Sequence, residues 1–260
     1  MKSLVIGNTS QLSSYFPGDF TKISSRNLDF SSIKNKEWDR IILSFGESRK
    51  FIDSKNLYED VNFHLTVKTV EELKDSCNSL VVYSTCELWN KYVGQIDISM
   101  PFSFYETPYL ISKYKMSSYL LDKSFKNVYI NFPFNFNSTK RNNNFLFGKV
   151  FDSIINKKKI VIGDTYFYRD MIHPSYVVKE SIDCKENKVI GSGRLTFVND
   201  FIRTLYSSSN LVFEDLVTEQ IGSFSEYKAR NEYYLKTKTC NQTYEQLVHL
   251  TLEDLRRIRC

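Results

Sequence analysis

The sequence predicts an α/β protein: a doubly wound, mostly parallel sheet with a small C-terminal lobe. Three observations carry that prediction. Short continuous apolar runs, typical of strands buried on both faces, recur through the first half. Helix-length segments alternate with them. Small and polar residues (Gly7, Ser44, Ser84 and Thr85) and Pro133 follow the runs, and in doubly wound sheets ligands bind beyond the carboxyl ends of the strands.

The first run is Leu4-Val5-Ile6, followed by a loop. Lys22-Ile23-Ser24, Arg40-Ile41-Ile42-Leu43-Ser44, Leu80-Val81-Val82-Tyr83-Ser84 and Asn127-Val128-Tyr129-Ile130-Asn131 supply four further strands. Helices are expected near 55–76 and over 109–125, where Tyr109, Lys113, Met116 and Leu120 recur at helical spacing. Residues 137–144, rich in Asn, Ser and Lys, read as a loop. Beyond them come a helix over 145–156, a strand at Ile160-Val161-Ile162 and a terminal amphipathic helix around Leu252. The expected division is a dinucleotide-binding, Rossmann-like domain over 1–136, then a mainly substrate-binding lobe over 137–260, some of whose segments return to the main sheet.

Composition narrows the function classes. The 260 residues are 42% hydrophobic and 25% charged, an ordinary globular balance. No stretch approaches the roughly 18 consecutive apolar residues of a membrane span, and the first residues run into a strand rather than a signal-peptide core, so a cytoplasmic protein is expected. Five widely spaced cysteines without a Cys-x-x-Cys pair, and three histidines, argue against a metal site or a disulfide framework. The net charge of +5 is carried by scattered lysines, which suits a small anionic ligand and argues against nucleic acid.

Tyr109 and Lys113 lie four residues apart, on one helical face. A cation beside a phenol favours the phenolate, and Thr85 can share the proton path. Such a tyrosine moves a proton at a carbinol or carbonyl while a nicotinamide carries the hydride. The first loop, Ile6-Gly7-Asn8-Thr9-Ser10-Gln11-Leu12-Ser13, puts Ser10 and Ser13 at the second and third places of a Gly-x-x-Gly-x-x-Gly pattern. This turn is expected to lead into a helix whose N-terminal N–H groups meet a pyrophosphate; a plain strand-to-helix turn is the alternative. Ser24-Ser25-Arg26, after the second strand, places a cation where NAD-preferring proteins carry an acid, favouring NADP over NAD.

Taken together, the motifs resemble those of extended short-chain dehydrogenases/reductases that modify nucleotide-activated sugars. The resemblance covers about residues 3–205. It is carried by the opening loop, Asn62 with Thr66, Val82-Tyr83-Ser84-Thr85-Cys86-Glu87, Pro108-Tyr109-Leu110-Ile111-Ser112-Lys113 and Phe132-Pro133-Phe134-Asn135-Phe136-Asn137-Ser138. Ile162-Gly163-Asp164 and Tyr168-Arg169-Asp170-Met171-Ile172-His173 complete it. The order of the motifs is more specific than any one of them.

The resemblance implies a catalytic set of Tyr109, Lys113, Thr85 and Glu87. It implies a cofactor set of Gly7, Thr9, Ser10, Gln11, Leu12, Arg26, Ser44, Lys113 and Pro133, holding NADP or alternatively NAD. Asn135, Arg169 and Cys86 would face a nucleotide-diphosphate sugar, and a homodimer is the implied assembly. Arg169-Asp170 also reads as a local ion pair, Asn135 as a turn cap, and His173 as a packed or capping residue. Chain length, the opening loop and the shortened second-strand region resemble 4-keto-sugar reductases, whereas Glu87 resembles the base of dehydratases and decarboxylases and favours a redox-neutral dehydratase or epimerase. A third reading, a catalytically silent nucleotide-binding relative, follows from the missing glycines and from Phe132 and Asn137.

Overall fold

The computed structural model describes residues 2–49, 55–220, 233–235 and 239–259. Six strands form one all-parallel sheet: β1 (Ser3–Ile6), β2 (Thr21–Ile23), β3 (Trp38–Leu43), β4 (Cys77–Tyr83), β6 (Val128–Pro133) and β10 (Lys188–Ile190), in the order β10-β6-β4-β3-β1-β2. The chain steps outward from β1 to β2, then crosses back to place β3 on the other side of β1. That reversal opens a crevice between the ends of β1 and β3, the topological switch point of the sheet.

Strand alternation sorts the core into two faces. Leu4, Ile6, Ile41, Leu43, Leu80, Val82, Ile130 and Phe132 share one cluster with Val70 and Leu73 of α3 (Thr66–Leu73) and Met116 and Leu120 of α4 (Pro108–Lys123). Val5, Ile42, Val81 and Tyr83 pack on the opposite face with Val177 and Val178 of α6 (Pro174–Ile182). Ahead of α3, helix α2 (Lys55–Glu59) runs into a π-helical stretch, Asp60–Leu65, so the helical segment expected near 55–76 is present but interrupted. A short helix, α1 (Phe30–Lys34), links β2 to β3.

The helix expected after β1 does not form. Residues 7–20 run as tight turns, with Ser10 N–H on Gly7 C=O, Ser13 N–H on Ser10 C=O and Tyr15 N–H on Leu12 C=O. The local reason is composition: Asn8-Thr9-Ser10 and Ser13-Ser14 compete for backbone hydrogen bonds, and Pro17-Gly18 stops any helix. Leu12 and Phe16, both buried, fill the face that such a helix would cover.

A second cluster is built from α5 (Leu146–Asn156), α7 (Val198–Ser208) and the last helix, α9 (Tyr244–Arg259); a one-turn helix, α8 (Phe213–Leu216), precedes β12. It packs on β8 (Ile160–Gly163), which pairs with β12 (Val217–Gln220), and on β9 (Tyr168–Ile172), which lies between β11 (Leu195–Phe197) and β7 (Asn135–Phe136). The remaining pair joins β5 (Gly94–Ile96) to β13 (Tyr233–Leu235). No helix of the described residues is long and apolar enough to cross a membrane.

Candidate active site

Three groups of residues meet at the crest of the parallel sheet. The first surrounds Tyr109. Thr107 caps α4 by accepting the Leu110 N–H at 3.2 Å, and Pro108 supplies a pre-set first turn. Tyr109 therefore sits at the start of α4 beside the end of β4. Its hydroxyl feels the Thr85 side chain, and Thr85 Oγ1 accepts the Glu87 N–H at 3.2 Å. Burial pushes the Tyr109 hydroxyl above its ordinary range and the Glu87 carboxylate adds to that; the Thr85 hydroxyl and the Arg141 cation act oppositely. Cys86 is buried next to this pair.

The second group surrounds Lys113, one turn along α4. Its Nζ donates to Tyr83 C=O at 2.9 Å, and burial alone lowers its pKa from 10.5 to about 8. Asn62 orders the neighbouring loop: its Oδ1 accepts the Glu47 N–H at 2.8 Å, and its Nδ2 donates to Glu47 C=O at 2.9 Å and to Ser112 Oγ at 3.1 Å. Ser112 in turn donates to Tyr109 C=O at 2.7 Å. The π-helical turn that carries Asn62 is closed by Thr66, whose hydroxyl donates to Val61 C=O at 3.0 Å. Gly46 sits over both polar tips; a methyl there would lie 3.2 Å from Asn62 Oδ1 and 3.4 Å from Lys113 Nζ.

The third group is the switch-point turn. Gly7 has φ +115°, and a Cβ on it would sit 2.8 Å from the Ser44 carbonyl carbon, so glycine is required. Ser10 Oγ and Ser44 Oγ bond at 2.7 Å across the crevice, and Ser13 Oγ donates to Ser10 C=O at 2.8 Å. Gln11 is partly buried and Thr9 exposed.

The structure thus brings Thr85, Cys86, Glu87, Tyr109 and Lys113 to one corner, with Gly7, Ser10 and Ser44 at the neighbouring crevice. Arg26 is exposed beyond β2, its N–H held by Ser24 Oγ at 3.0 Å. Pro133 ends β6 against Ile190. Asn135 pairs with Met171 in the three-stranded sheet, and Arg169, two residues before Met171, shares that face. The Arg169 guanidinium lies 4.5 Å from the Phe167 ring and donates to Tyr168 C=O at 2.7 Å. Asp170 is fully buried and accepts Ser192 N–H, Ser192 Oγ–H and Gly193 N–H, so it is a core residue rather than half of a surface ion pair. His173 caps α6 and packs, bonded to Ser175 and Asp254.

Two features differ from the expectation. Lys113 is directed at a backbone carbonyl and not at the phenol; the cation that acts on Tyr109 is Arg141. Arg141 stacks 4.0 Å over Phe145, and its buried Nε has no hydrogen-bond partner among the described residues. Nothing in the sequence marks Arg141 beyond the dipeptide Lys140-Arg141 in an Asn-rich loop, because its position depends on a fold of the chain that brings residues 85–109 and 141 together. Second, the phosphate-side turn lacks the helix that would aim backbone N–H groups at an anion.

Chemically, the corner holds a protonated phenol at the edge of a crevice, a hydroxyl to orient its proton, a carboxylate two residues further on and an ammonium near neutrality. These are the parts of a proton-transfer device at an oxygen-bearing carbon. The Lys113 and Gly46 side of the crest fits the nicotinamide-ribose end of a dinucleotide: a bare glycine backbone lies beside an ammonium with donors to spare.

Sheet order, crest and lobe together define a doubly wound fold with a tyrosine–lysine helix beside its switch point, and the chain shares that fold over its whole length with solved structures. MoeE5 in complex with UDP-glucuronic acid and NAD superposes with a TM-score of 0.81 at 15% identity, covering 99% of this chain and 100% of that one. The DesIV double mutant (dTDP-glucose 4,6-dehydratase) from Streptomyces venezuelae, with NAD and DAU bound, gives 0.75 at 15% identity over 100% and 98%. RMD from Pseudomonas aeruginosa complexed with NADPH gives 0.73 at 14% identity over 99% and 100%. No protein-family model matches the chain, and no curated protein matches it in sequence. The resemblance carried by the motifs is therefore borne out as a likeness of fold.

Proposed function

We propose that the chain is an NAD(P)-dependent oxidoreductase of the short-chain dehydrogenase/reductase type, that its substrate is a nucleotide-diphosphate sugar, and that it reduces a 4-keto-deoxy sugar. The observation that carries this reading is the convergence at the sheet crest of Tyr109, whose hydroxyl feels the Thr85 side chain, and the buried Lys113 one helical turn further on. Solved structures of the same fold hold NAD with UDP-glucuronic acid, or NADPH.

When bound, the reduced dinucleotide supplies the hydride. The chain's own residues do the rest. Tyr109, held as a phenol by burial, delivers its proton to the carbonyl oxygen as that oxygen gains charge. Thr85 orients the phenol and shares the oxygen. Lys113 bonds the ribose of the coenzyme, and Arg141 supplies the cation felt at Tyr109. Gly7, Thr9, Ser10, Gln11, Leu12 and Ser44 line the dinucleotide crevice, Pro133 closes its nicotinamide end, and Arg26 favours NADP. Asn135 and Arg169 hold the sugar nucleotide's diphosphate, a task suited to a guanidinium fork, and Cys86 lines the sugar site. Ile111, Tyr114 and Leu121, exposed on α4, support a homodimer through that helix.

A redox-neutral dehydratase or epimerase is the second reading, favoured by the Glu87 charge felt at Tyr109. A silent nucleotide-binding relative is the third, favoured by the helix that does not form after β1. Two measurements separate the three: dinucleotide calorimetry, and incubation with a panel of 4-keto and parent sugar nucleotides plus NADPH or NADH, following nicotinamide absorbance and product mass. Reduction consumes coenzyme in step with a product two hydrogens heavier. Loss of water or unchanged mass without net absorbance loss supports the second reading. Calorimetry showing no binding of either dinucleotide supports the third and defeats the first two.

A further inference from the structure

Resting on that reading of the crevice as a dinucleotide site, we infer that Lys140 is the cation that binds the dinucleotide's pyrophosphate, in place of the helix N-terminus this chain does not build. In a doubly wound sheet the pyrophosphate is ordinarily met by N–H groups at the start of the helix after β1. Here residues 7–20 are turns, and serines occupy two glycine places. The partial positive charge of a helix end is therefore missing where an anion is to be held.

Lys140 reaches that place from far along the chain. Its Nζ donates to Ser13 Oγ at 2.9 Å. Ser13 is bonded to Ser10 C=O, and Ser10 Oγ is bonded to Ser44 Oγ across the mouth of the switch point. One ammonium thus stands at the end of a hydrogen-bonded line that crosses the crevice. An ammonium has three donors; Ser13 takes one, and the Lys140 side chain is exposed enough to turn the others towards a ligand.

The segment that carries Lys140 is fixed at both ends. Ser138 is buried, and its N–H faces Gln11 Oε1 at 3.5 Å. Arg141 N–H closes a turn on Ser138 C=O at 2.9 Å. Further on, the Asn142 carbonyl packs so closely on α5 that a Cβ on Gly148 would lie 2.1 Å from it. Consecutive cations on this strap therefore serve opposite sides: Lys140 the phosphate turn, Arg141 the Tyr109 corner.

The experiment is calorimetric titration of the full chain with NADH and with NADPH at several salt concentrations, comparing wild type, Lys140→Met and Lys140→Arg. The expected result is a roughly ten- to hundredfold loss of affinity in Lys140→Met for both dinucleotides. A shallower salt dependence should accompany it, and Lys140→Arg should recover most of the loss. A Lys140→Met protein that melts as wild type and binds both dinucleotides with unchanged affinity would overturn the inference and leave the proposed function standing. Loss confined to NADPH would also overturn it, by assigning the cation to the 2′-phosphate. A wild-type chain that binds neither dinucleotide would overturn both.

Discussion

The Tyr109 corner and the switch-point turn lie side by side, yet they are built on opposite terms. In the corner, side chains would carry the chemistry, and a dense set of bonds through Asn62, Ser112, Thr85 and Tyr83 holds them. In the turn, backbone conformation would carry the binding, and that conformation has changed: no helix forms, and serine hydroxyls bridge the crevice. The difference teaches that proton transfer depends on a fixed side-chain geometry, whereas an anion can be held by any well-placed positive charge.

The sharpest way to break the comparison is Tyr109→Phe. This change removes one oxygen from the corner. Turnover is expected to fall about 10²–10⁴-fold, while the melting temperature and dinucleotide affinity stay close to wild type. Steady-state rates beside a melting curve measure it, and turnover surviving at near-full rate removes Tyr109 as proton donor.

Next in size is Asn62→Ala. Asn62 is fully buried and satisfies both the N–H and the C=O of Glu47 as well as Ser112. Truncation leaves these groups without their partner and should destabilise the fold by about 2–4 kcal/mol. Denaturant midpoints report it. A loss below about 1 kcal/mol would show that the corner is no more tightly specified than the turn.

Much of this architecture is legible in the residues. The five expected runs of the first half are strands of the parallel sheet: in the first, third and fourth, neighbours such as Leu4 and Val5, Ile41 and Ile42, and Leu80 and Val81 bury both faces, whereas the second is a part-exposed edge strand. The four-residue spacing of Tyr109 and Lys113 correctly places them on one helix. What spacing does not contain is direction: it says nothing about Tyr83 C=O as the partner of Lys113. The helix expected after β1 follows from the general form of a dinucleotide-binding turn, whereas the local sequence, with its serines, Pro17 and Gly18, favours turns. Arg141 was invisible for a different reason. Its neighbours at the site are far apart in sequence, and only tertiary packing joins them.

The buried ammonium gives a pH signature to the corner. Lys113 has its pKa lowered from 10.5 to about 8. Between those values the unfolded chain keeps a proton that the folded chain has released, so this group's contribution to stability rises with pH over that interval. Below pH 8 both states carry the charge, and the burial penalty is at its largest. Wild type compared with Lys113→Met should therefore gain relative stability as pH climbs from about 8 towards 10.5, while any turnover that needs the ammonium declines across the same range. Parallel denaturation series at stepped pH read the first effect. A stability difference that is flat with pH would mean that the ammonium is not desolvated.

The smallest expected effect belongs to the turn. Ser10→Ala removes one hydroxyl pair, the bond to Ser44 across the crevice. A neutral hydrogen bond in a half-buried place contributes about 0.5–1.5 kcal/mol. Denaturant midpoints should thus shift several times less than for Asn62→Ala. Dinucleotide affinity should hold or rise, because the bridge that closes the crevice is gone and the charge on the strap remains. A drop in affinity as large as that expected for Lys140→Met would place the hydroxyl itself on the ligand. The turn would then bind through its side chains, as the corner does, and the contrast between the two regions would dissolve.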